Sequence, residues 1–158
     1  MGPRPSVTPL LLPVAVLVAL TGAPLAGQSA GSHVARATAL FEAYTQAERA
    51  FNPAIVDLYA PDALIRNTRR YPDGTTRVLT LTTAQLRKML ALAFPVARQA
   101  GDTNTYSAVS YAIEGAGVRI QGDRAADRKG YHGPFSLLVR PTAAGVWLIV
   151  EDLTESQP

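Results

Sequence analysis

Few residues in this chain have side chains suited to chemistry. There are two histidines and no cysteine. A chain without Cys has no thiol nucleophile, no thiolate metal site and no disulfide framework. His132 lies in K-G-Y-H-G-P-F at 129–135, and Asp123 and Asp127 are the nearest acids able to orient it as a general base. Gly130, Gly133 and Pro134 mark that stretch as a loop, where a lone histidine is usually just solvent-exposed. No H-x-H or H-x-x-x-H spacing occurs, so neither a metal nor another cofactor is expected. Glu151 and Asp152 are adjacent in sequence, but neighbours on a strand point to opposite faces, which argues against a catalytic dyad. Arg66, Arg69, Arg70 and Arg77 crowd one segment, and Arg119, Arg124, Arg128 and Lys129 another. Guanidinium forks match carboxylates and phosphates. The simpler reading, preferred here, is solvated strand faces whose charges keep sheet edges from pairing.

The N-terminus reads as an address segment. Arg4 precedes the apolar run L-L-L-P-V-A-V-L-V-A-L at 10–20, and small residues follow. That run has the length of a secretory h-region and is short for a membrane span. Residues 1–30 are therefore expected to be a signal peptide, with Ala26, Ala30 and Ser32 all acceptable cleavage points. The exported remainder, residues 31–158, forms a single domain that stays off the membrane. Only Arg4 of the 15 Lys and Arg falls in residues 1–30, and none of the 12 Asp and Glu, so the remainder carries +2. So mild a charge does not suit nucleic acid, which asks for a dense basic face. A domain of this size can bury enough apolar surface to fold without disulfides.

Periodicity predicts the elements that hold these residues. Val34, Ala37, Phe41, Tyr44 and Phe51 share a helical stripe over 33–51. Asn52-Pro53 starts a short second helix, with Asn as N-cap and Pro at the first position, and Pro61 stops it. Residues 63–69 alternate as a strand, Y-P-D-G at 71–74 turns, and 75–81 returns. T-T-A-Q at 82–85 forms a capping box for a helix bearing Leu86, Met89, Leu90, Ala93, Phe94 and Ala97, which Pro95 should kink or split and Gly101 should end. Strands follow at 106–114 and 118–127, with Gly122-Asp123 as a turn or bulge. A final hairpin pairs 135–140 with 146–151 around T-A-A-G, leaving a frayed tail. Trp147 alternates with Ile149 and reads as core. Helices segregated from antiparallel strands make an α+β domain, and a curved sheet wrapping one long helix leaves a hollow for a ligand.

D-L-Y-A-P-D-A-L-I at 57–65, the helix at 83–100 between two β regions, and G-V-W-L-I-V-E-D-L at 145–153 resemble the NTF2-like superfamily, which includes ketosteroid isomerases and SnoaL-type polyketide cyclases. The resemblance spans about 33–155. It implies a cone-shaped antiparallel sheet around a long helix, three helices in all, a pocket, and a homodimer. It implies no particular reaction, because this fold hosts many. The isomerase base falls on Asn67, whose amide cannot take a substrate proton at neutral pH. The second acid falls on Leu137, which has no donor. A third position, a tyrosine, fits Tyr44.

The expected site is therefore a pocket lined by Tyr44, Asn67, Leu137 and Met89. The reading is non-catalytic binding of a small, largely apolar molecule or of a partner protein. The alternative is a polyketide-cyclase or dehydratase type of enzyme with a rearranged site of Tyr44, Asn67 and His132. A titratable side chain within the cavity beside Tyr44 would favour the enzyme.

Overall fold

In the computed structural model, residues 26–157 and Gly2 are described; the apolar stretch at 10–20 lies outside them. Helix α1 runs Ala26–Arg49 and buries Ala37, Leu40, Phe41 and Tyr44 along one stripe. A 3-10 turn at Pro53–Leu58 follows, capped as expected by the Asn52 side chain on the Ala54 N–H at 3.0 Å. Strands β1 (Tyr59–Arg70) and β2 (Thr76–Leu81) form the first hairpin, closed by Gly74 at φ +84°, a dihedral glycine adopts without strain. Helix α2 (Thr83–Ala100) starts in the expected capping box and ends at left-handed Gly101. It is not split at Pro95. Its start is tied to β1 by the buried Thr83 hydroxyl, which donates to the Ala60 carbonyl at 2.7 Å.

Four strands complete the chain: β3 (Asn104–Glu114), β4 (Gly117–Ala126), β5 (Tyr131–Pro141) and β6 (Trp147–Ser156). The six strands make one curved, open sheet in the order β2-β1-β6-β5-β4-β3. The α+β class and cone-like wrap agree with expectation, but the sheet is mixed rather than antiparallel. β6 runs parallel to β1, with Ile65 beside Asp152, Asn67 beside Thr154 and Arg69 beside Ser156. The expected frayed tail after Glu151 is thus a strand, because its backbone groups find partners on both sides, in β1 and β5.

Register shifts interrupt three of the ladders, one of them between β1 and β6 at Tyr59/Leu64. The bulge expected at Gly122-Asp123 lies instead across the ladder in β3, between Ser107 and Ser110, where Ala108 takes φ +51°. Gly122 answers it: a Cβ there would sit 2.7 Å from the Ser107 carbonyl oxygen and 2.8 Å from the Phe135 ring. On β6 the pairing with β5 slips by one residue at Val150. Ile149 and Asp152 are three apart, so strict alternation would put them on opposite faces. With one bulged residue between them, both are buried. The core between α1 and the concave face holds Val118, Ile120, Leu137, Val139 and Ile149, with Phe41 stacked on Phe135 at 5.5 Å. Trp147 is half-buried and meets His33 edge-on at 5.1 Å.

Candidate functional site

Period-2 geometry delivers the inward residues of four strands to one hollow under α2. β1 supplies Ile65, Asn67 and Arg69, and β2 supplies Leu79 and Leu81, opposite Asn67 and Ile65 in register. β6 supplies Asp152, Thr154 and Ser156, and β4 supplies Arg124. Helix α1 adds Tyr44 and Glu48, one turn apart, and α2 adds Leu86, Met89, Leu90 and Phe94. The cavity holds about 490 Å³. Its α2 and β2 side is apolar, and its polar groups converge on the α1 and β6 side, the usual composition of a small-molecule site.

The deepest polar group is Asp152, 6% exposed. Its Oδ2 accepts a 2.6 Å hydrogen bond from the Tyr59 hydroxyl, while Oδ1 has no protein partner. Burial pushes its pKa up to about 6; the Tyr59 bond and the Arg124 charge pull it down, and Glu48 pushes it up. A carboxyl so poised changes charge near neutral pH.

A chain of phenols links Asp152 to a second carboxyl. Tyr59 interacts with Tyr44, and Tyr44 in turn with Tyr106, through their hydroxyls. Tyr106 donates to Glu48 at 2.7 Å, and Asn104 donates to the same carboxyl at 3.0 Å. Burial raises the pKa of Glu48 and of all three phenols, so the tyrosines remain hydrogen-bond donors across the physiological range.

Of the residues expected in the pocket, Tyr44, Asn67 and Met89 line the cavity and Leu137 does not. Leu137 is sealed in the core at 1% exposure. Directly across the β5–β6 ladder from it stands Asp152. Asn67 is engaged within the sheet. It donates to the Thr154 hydroxyl at 3.0 Å and accepts from the Ser156 hydroxyl at 2.8 Å. His132 does pair with Asp123, at 3.0 Å, but it is exposed and lies outside the cavity wall.

Two of the clustered arginines are ion-paired with carboxylates. Arg70 grips Glu155 with two 2.6 Å bonds, and Arg119 bridges Glu114 and Glu151. Arg124 and Arg69 instead line the cavity. Among the described residues, no group of three His, Asp or Glu could hold a metal ion, and no helix is long and apolar enough to cross a membrane.

Sequence reasoning set Asp152 aside as half of a rejected dyad and Arg124 as a surface charge, and did not place Tyr59, Glu48 or Tyr106 at a site. That Ile149 and Asp152 share the buried side follows from the bulge at Val150, which the sequence does not signal.

Solved structures with this arrangement exist. An NTF2-like protein with a cystatin-like fold from Novosphingobium aromaticivorans covers 81% of this chain and 84% of its own length, at TM-score 0.59 and 12% identity. The fold is NTF2-like. A dehydratase candidate of the NTF2-like family from Streptomyces avermitilis covers 82% of this chain and 97% of its own, at TM-score 0.57 and 14% identity. ActVI-ORFA from Streptomyces coelicolor covers 76% and 93%, at TM-score 0.54 and 13% identity. At such identities the likeness concerns the fold alone. No protein-family model matches the sequence, and no curated protein does.

Proposed function

We propose that the cavity is a general acid–base site for a small, largely apolar molecule bearing a carbonyl. The observation that carries this is Asp152. It is a buried carboxyl on the polar side of the cavity, held by Tyr59, with one oxygen unpartnered and a pKa near 6. Ionised, it takes a proton from the carbon beside the carbonyl. The C–H electron pair moves into the new C=C bond and charge gathers on oxygen, where the Tyr44 hydroxyl donates a hydrogen bond. Asp152 then returns the proton to carbon. No cofactor takes part in this exchange. Asn67, at the position of the isomerase base, serves instead to hold β1 against β6. The dehydratase candidate with this fold is consistent with proton-transfer chemistry.

The test needs no knowledge of the natural substrate. The α-protons of 2-tetralone exchange with deuterium in D2O, and proton NMR follows their loss. The protein should accelerate exchange, with a rate that rises as pH passes through about 6, and Asp152→Asn should abolish the acceleration. The satisfied state of Asn67 favours a second reading, binding without turnover. Line broadening of the ketone without faster exchange would establish that reading and overturn the first.

The apolar run at 10–20 supports export of the domain, and the resemblance to the superfamily supports a homodimer. Native mass spectrometry of protein taken from the exported fraction reads out processing, dimerisation and any carried ligand together. A monomer retaining residues 1–30 would count against both.

A further inference from the structure

The cavity does not end at α2. Seven of its lining residues, among them Glu48, Met89, Phe94, Arg124 and Tyr131, also line a second hollow of about 690 Å³ between α2 and the ends of β3 and β4. The two spaces therefore adjoin across a shared rim. The second is polar where it meets the first, at Glu48, Arg124 and Lys129, the last paired with Asp102 at 3.1 Å. Beyond that belt it is walled by α2 alone among the helices, through Leu92, Ala93, Val96, Ala97 and Ala100. These continue the stripe begun by Met89 at spacings of three and four. Leu92 is 78% exposed and Val96 67%. Large apolar side chains left open beside a ligand cavity mark a surface that something covers.

We propose that the ligand is bipartite: an oxygenated head in the inner cavity, and an unbranched hydrocarbon tail that passes Arg124 and Tyr131 and lies along α2 over Leu92 and Val96. This rests on the reading that the inner cavity takes a carbonyl compound. The choice of a tail over a protein partner comes from the rim that the two spaces share, since a chain leaving the first over that rim arrives on the second. In the belt Lys129 is paired with Asp102, and Glu48 and Arg124 are of opposite sign, so it admits a neutral chain and does not call for a charged one.

Isothermal titration with a homologous series of unbranched methyl ketones tests this. Affinity should keep rising by about fourfold per added methylene after the inner cavity is filled. Leu92→Asp and Val96→Asp change exposed positions, so they should leave melting temperature and short-ketone affinity unchanged while removing the gain for the longer chains. An affinity that levels off at the short ketones overturns the tail and leaves the inner site standing. No binding by any ketone overturns both. Equal loss for short and long ketones, or no change in either variant, also overturns the tail. So does a concentration-dependent dimer that Leu92→Asp dissociates with no effect on ketones, since the α2 face would then belong to a second copy.

Discussion

The Tyr59 hydroxyl stands 2.6 Å from Oδ2 of Asp152, joining the first residue of β1 to the middle of β6 across 93 positions of sequence. This bond lowers the Asp152 pKa against the effect of burial. Tyr59→Phe removes it and leaves both carboxylate oxygens without a protein donor. The apparent pKa of Asp152 should then rise above about 6, and the pH profile of ketone exchange should move to higher pH. Carbon-13 NMR of labelled aspartate reads the shift directly. An unchanged titration would show that Tyr59 does not hold the carboxyl in solution.

Stability should depend on pH in the same direction. The folded pKa of Asp152 lies above its ordinary value of 3.8, so between pH 3.8 and about 6 the folded state binds more proton than the unfolded chain. Stability therefore falls as pH rises through that window, by roughly 3 kcal/mol at most. Glu48, also raised by burial, adds to the same trend. Urea unfolding at pH 4.5 and 7.5 should show the wild type weaker at the higher pH, with the difference much reduced in Asp152→Asn. A wild type equally stable at both would remove the case for a buried, raised carboxyl.

Gly122→Ala should destabilise the domain by about 1–3 kcal/mol, the usual cost of overpacking. The added carbon meets the Ser107 carbonyl and the Phe135 ring, both part of the curl that lays β3 over the core. Denaturant midpoints measure this. Gly74→Ala, strained only by its dihedral and facing open space, should cost less.

Asn67→Ala should cost about 1–2 kcal/mol, from two half-buried hydrogen bonds to β6. It should leave the pH dependence of ketone exchange in place, because the proton acceptor is Asp152. Loss of exchange in a folded Asn67→Ala protein would return the chemistry to Asn67.

Much of the local structure was legible in the sequence, for reasons local to it. The capping box of Thr82 and Gln85, the N-cap of Asn52, the Y-P-D-G turn and the left-handed stop at Gly101 each depend on residues within a few positions of one another. Tyr44 was expected in the pocket from the family resemblance, and the helical stripe showed only that its ring faces inward. Leu137 was not placed correctly, since an inward strand residue may face core or cavity depending on what packs opposite.

The carboxyl was legible in chemistry and not in place. Alternation alone correctly separates Glu151, which meets Arg119 on one face, from Asp152 on the other. It cannot say which of the two faces the hollow. That was decided by the one-residue slip at Val150 and by the parallel docking of β6 on β1, which turned an apparent tail into the polar wall of the cavity. Caps, turns and stripes are short-range and so are determined by sequence alone. The Asp152 environment is made by Tyr59, Tyr44, Arg124 and Glu48, drawn from three separate elements, and its pKa near 6 exists only once burial brings them together.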